Sequence, residues 1–163
     1  MAQITVRPAV AEDAATIFHF IRELAIYEKA EHEVVTDVDG IRDSIFAADS
    51  NVRALICSVD DAVVGFAVYF YNYSTWQGRK GIYLEDLYVS PEHRGVGAGK
   101  ALLHYLARLA VAEGCGRFEW SVLDWNTPSI LFYESIGAKP QSEWIRYRLD
   151  GDALIQFAAA EYN

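Results

Sequence analysis

The sequence predicts an α/β (α+β) fold of one domain, with helices flanking a mixed central sheet. Its 163 residues match the ordinary size of one domain. Apolar residues recur at helical spacing in some stretches and alternate in others. Several predicted strands between residues 52 and 89 follow one another without a helix, which excludes a purely parallel sheet.

Residues 3–8 alternate as a short strand. From Glu12 to Lys29, Ile17, Phe20, Ile21, Leu24 and Ala25 keep helical spacing. Thr36 and Asp39 have the spacing of a capping box for a second helix reaching Ala47. Residues 52–59 and 62–73, rich in Val, Phe and Tyr, read as strands joined by a turn at Asp60-Asp61. A third strand spans 80–89 and ends at Ser90-Pro91. A glycine-rich segment, 94–99, leads into a helix that reaches Glu113 and stops at Gly114. Residues 116–123 form a strand, and Pro128 opens a helix that ends at Gly137. A strand at 144–149 and an apolar segment from Asp152 complete the chain. No repeat or linker interrupts residues 1–163.

Hydrophobic residues at 52% and charged residues at 23% exclude disorder as the default. The net charge of −9, with scattered basic residues, is unfavourable to nucleic acid and mildly favours cationic ligands, although acidity also serves solubility. Cys57 and Cys115 lie outside any CxxC spacing, and His19, His32, His93 and His104 form no metal-binding pattern, so neither a disulfide framework nor a metal is expected. The first residues lack the features of a signal peptide, and no apolar run reaches the length of a membrane span. A cytoplasmic, non-membrane protein is the expectation.

Arg94-Gly95-Val96-Gly97-Ala98-Gly99-Lys100 falls between a strand and a helix. A helix N-terminus offers unpaired N–H groups and partial positive charge, and glycine lets a phosphate approach the backbone. The segment lacks the first glycine and the hydroxyl of a Walker loop, since Ala101 follows Lys100. No frame satisfies the dinucleotide fingerprint. Arg-x-x-Gly-x-Gly, a pyrophosphate loop, is matched in full at Arg94, Gly97 and Gly99.

The segment 83–99, Tyr-Leu-Glu-Asp-Leu-Tyr-Val-Ser-Pro-Glu-His-Arg-Gly-Val-Gly-Ala-Gly, resembles the acetyl-CoA motif of the GNAT superfamily of N-acetyltransferases. Residues 21–28, Trp76-Gln77-Gly78 and residues 126–133 extend the resemblance to the diamine (spermidine/spermine) acetyltransferase branch. It implies a mostly antiparallel sheet, acetyl-CoA as cosubstrate and a homodimer. It further implies that Leu87, Tyr88 and Val89 pair with the pantetheine arm like an added strand. Arg94, Gly95, Val96, Gly97, Ala98, Gly99 and Lys100 would cradle the pyrophosphate. Asn126 and Ser129 would contact the cofactor, Ser129 also fitting a capping role, and Tyr133 would stand beside the sulfur. Tyr27, Glu28 and Trp76 would line an amine channel ending at Glu85 and Asp86.

An alkyl ammonium, with a pKa of about 10.4, must lose a proton before it can attack a thioester. Direct transfer therefore needs a base for the amine and a weak acid for the thiolate. Glu85 suits the first role and Tyr133 the second. Adjacent strand residues normally face opposite sides, which predicts separate roles for Glu85 and Asp86. Carboxylates with aromatic walls suit a small cationic amine. Ser74 stands where polyamine-specific members often carry an acidic residue, so a small diamine or a lysine analogue with sulfur in its chain fits as well as a polyamine. Protein amines, or acetyl-CoA binding without turnover, are the alternatives.

Overall fold

The computed structural model describes residues 2–161. The chain divides into two compact units, Met1–Leu123 and Asp124–Asn163.

The first unit carries a five-stranded sheet of β1 (Ile4–Pro8), β2 (Val52–Val59), β3 (Ala62–Ser74), β4 (Arg79–Val89) and β5 (Phe118–Trp120), in that spatial order. β1 to β4 are antiparallel neighbours, whereas β5 runs parallel to β4. The expected mixed, mostly antiparallel sheet is therefore present. Asp60 and Asp61, at φ +49° and +69°, make a two-residue hairpin whose handedness suits the twist of β2 and β3.

Both faces of the sheet are covered. α1 (Ala14–Tyr27) and α2 (Val38–Ile45) pack Ile17, Phe20, Leu24 and Ile45 against Ala54, Ile56, Phe66, Val68 and Tyr88. Phe20 stacks on Phe66 with ring centroids 5.6 Å apart. α3 (Ala98–Ala112) covers the other face with Leu102, Leu103 and Leu106, and its Ala98 carbonyl lies 3.9 Å from the buried Cys57 sulfur. Burial on both sides explains the unbroken apolar run Ala54-Leu55-Ile56-Cys57 in β2.

Two local expectations shift. A single 3₁₀ turn, Ala11–Asp13, precedes α1 and occupies the first positions predicted helical. α2 is capped by Asp37, whose carboxylate accepts from the Gly40 amide at 2.8 Å, rather than by the expected Thr36–Asp39 box.

The second unit contains α4 (Thr127–Ser135) and α5 (Gly151–Ala159). The Asn126 side chain accepts from the Ser129 amide at 3.4 Å and caps α4, with Pro128 in the first turn. Residues 144–149, expected as a strand, join no ladder among the described residues. Alternation states only that a segment would suit a sheet, whereas a strand exists only where a neighbour takes its backbone hydrogen bonds.

Candidate active site

β4 contains an irregularity at its centre. Val68 faces Asp86 and Tyr69 faces Leu84, so Glu85 has no partner on β3 and forms a bulge. This interrupts the alternation. Tyr83 pairs with Phe70, and Glu85 follows on the same side; Asp86 pairs with Val68, also on that side. Val68 belongs to the core beneath α1 and α2. Glu85 and Asp86 thus leave β4 on one face, correcting the expectation that neighbouring residues must diverge.

Glu28, directly after α1, completes a group of three carboxylates. Burial, reinforced by Glu85 and Glu28, pushes the half-buried Asp86 carboxyl up to about 7. Burial and Glu85 also raise Glu28. Desolvation favours the neutral acid, and neighbouring negative charge adds to that preference. A carboxyl near 7 can take up or release a proton at neutral pH. Strand alternation gave no signal for this property of Asp86, because it follows from the bulge.

Trp76 stands apart from these carboxylates. It is 82% exposed in the β3–β4 hairpin. Between Arg79 and Glu85 the strand rises roughly 20 Å at about 3.3 Å per residue. Trp76 therefore lines no wall beside Glu85 within this unit. Tyr27 is the last residue of α1, and its ring lies beside Arg94.

On its other side β4 is only partly paired. The parallel ladder to β5 stops at Leu84↔Trp120. The Ser90 amide donates to the Val64 carbonyl, and with the β3 register this turns the Tyr88 backbone groups toward Phe66. Leu87 and Val89 direct theirs to the open edge, so Tyr88 cannot contribute its backbone to an added strand. The Arg94 Nε already donates to the Val89 carbonyl at 2.9 Å.

The loop after β4 passes Pro91–His93 and reaches α3 through Gly95 at φ +84° and Gly97 at φ +97°. Gly97 is the N-cap residue of α3. Both glycines occupy the region that L side chains avoid. A Cβ at Gly95 would meet no atom within 4 Å, so the backbone lies open there. The N–H groups of Ala98, Gly99 and Lys100 open the first helical turn and point out of the helix start. This open cradle fits a diphosphate. Sequence patterns gave no indication of the neighbouring His93, whose Nδ1 is buried without a hydrogen-bond partner among the described residues.

The sequence model of the Acetyltransferase (GNAT) family matches residues 16–138. The chain belongs to this family. This acetyltransferase is 35% identical to a mouse thialysine N-epsilon-acetyltransferase, across 97% of its own length and 99% of the relative's. It is 33% identical to human spermidine/spermine N(1)-acetyltransferase-like protein 1, across 99% of its length but 24% of that longer chain. A solved integron cassette protein from the mobile metagenome of V. cholerae superposes with a TM-score of 0.80 at 26% identity, covering 96% and 98% of the two chains.

Proposed function

We propose that this acetyltransferase moves the acetyl group of acetyl-CoA directly onto a small cationic primary amine of the diamine, polyamine or lysine-analogue class. The observation that carries the substrate class is the carboxylate group at the β4 bulge, where Glu85 and Asp86 leave one face beside Glu28. Three carboxyls suit an alkyl ammonium and disfavour an acidic acceptor. The name of the mouse relative, which acts on thialysine, supports a lysine-analogue substrate. Ser74, replacing an acidic residue, points away from long polyamines.

Acetyl-CoA supplies an activated thioester when bound. The open edge at Leu87 and Val89 would hold the pantetheine arm, and Gly95 to Lys100 would hold the diphosphate with Arg94. Glu85 faces the amine and takes its proton. Asp86 and Glu28 hold positive charge at the same face, and the raised Asp86 carboxyl accepts the proton onward near neutral pH. The weak acid for the thiolate is assigned to Tyr133 on the family resemblance, and Asn126 caps the helix that carries it. Residues 1–163 act as one N-acetyltransferase domain, a reading supported by the family match over residues 16–138, which begins in the first compact unit and ends in the second. We also assign a cytoplasmic homodimer that binds no nucleic acid. The apolar segment Ala153-Leu154-Ile155-Gln156-Phe157-Ala158-Ala159-Ala160 supports the dimer, and the charge of −9 supports the last point.

The test is an amine panel with acetyl-CoA: thialysine, lysine, ornithine, putrescine, spermidine and a lysine peptide. Turnover should be greatest on a small amine and fall about 100-fold in Glu85→Gln. No acetylation of any amine refutes the activity; preference for the peptide refutes the substrate class.

A further inference from the structure

The Arg94 side chain is held from several directions. Its Nε donates to the Val89 carbonyl at 2.9 Å. Its guanidinium carbon lies 5.2 Å from the centre of the Tyr27 ring and 5.4 Å from that of Tyr88. A guanidinium has more N–H donors than these contacts use, and those that remain are free for an anion. Arg94 itself is exposed, at the entrance of the glycine loop. Aromatic faces attract the cation without consuming its donors, and therefore fix its position while leaving its anion-binding capacity intact.

Tyr27 resembles residues that line an amine channel, yet its ring is turned to this cation. We infer that Tyr27 is a positioning residue of the donor side: with Tyr88 it clamps Arg94 for the CoA diphosphate. This inference rests on the acetyl-CoA reading above. The clamp spans separate elements, since Tyr27 ends α1 and Tyr88 lies in β4. Holding a long side chain in its bound geometry before the ligand arrives removes an ordering cost from binding.

Calorimetric titration with CoA and steady-state kinetics on Tyr27→Leu and Tyr27→Phe test it. In Tyr27→Leu, CoA affinity should fall about fivefold and the KM for acetyl-CoA should rise in step, with the amine KM and kcat changed less than about twofold. Tyr27→Phe, which keeps the ring, should restore both values. With acetyl-pantetheine, which has no diphosphate, wild type and Tyr27→Leu should behave alike. In an Arg94→Lys background, Tyr27→Leu should cost little more, because the planar cation is already lost. A raised amine KM with unchanged CoA affinity would return Tyr27 to the amine channel and overturn the clamp. A loss that persists with acetyl-pantetheine also overturns it. Failure of the wild-type protein to take up CoA instead removes the function proposed above, and the clamp with it.

Discussion

Replacing Asp86 by Asn removes a carboxyl raised from its ordinary 3.8 to about 7 by burial and by Glu85 and Glu28. The unfolded chain releases this proton near the ordinary value, whereas the folded chain keeps it to about 7. Over that interval the folded state binds more protons, so its stability falls as pH rises from about 4 to about 7 and stays lower above. Below about 4 both states are protonated and the penalty vanishes. At about 1.4 kcal/mol per pKa unit, the ceiling is about 4 kcal/mol. Water reaching the half-buried side chain reduces this to roughly 2 kcal/mol. Urea unfolding of wild type and Asp86→Asn between pH 4 and pH 8 measures it. The variant's advantage should grow from near zero to roughly 2 kcal/mol across that range. A gap that does not change with pH, or a variant less stable at pH 8, refutes the reasoning.

Further outcomes follow from individual residues. Tyr133→Phe should lower kcat about 100-fold while CoA titration stays unchanged, as loss of a proton donor requires. Gly65→Ala should destabilise by about 2 kcal/mol or more in thermal melts, because a Cβ there would lie 2.5 Å from the Tyr88 carbonyl oxygen. Asp37→Ala should cost about 1 kcal/mol by removing the cap on the Gly40 amide, read from urea unfolding.

Much of this fold is legible in the sequence. Val52–Val59, Ala62–Ser74 and Arg79–Val89 lie within a residue of the expected strands, since apolar runs bounded by Asp-Asp and Ser-Pro leave little choice. The glycine loop was legible because its backbone demands are written in residue type: Gly95 and Gly97 have positive φ. The carboxylate arrangement was not. A bulge depends on how two strands align, and nothing in the order Leu84-Glu85-Asp86 specifies which residue β3 leaves unpaired. Residues 144–149 failed for a related reason, because alternation cannot supply the neighbour a strand needs. Arg94 was read as a phosphate ligand from its motif, but its contacts with Tyr27 and Tyr88 join distant stretches that no local pattern connects.

The unpaired Glu85 makes β4 one residue longer than β3 can match. In-frame loss of that single codon would let Leu84 and Asp86 become ordinary neighbours on opposite sides of the sheet, without moving any other side chain. Such a shortened protein should fold at least as readily, with one acid fewer beside Asp86 and Glu28. The surplus residue is thus a cost to the ladder, and under the proposed function the amine chemistry recovers it.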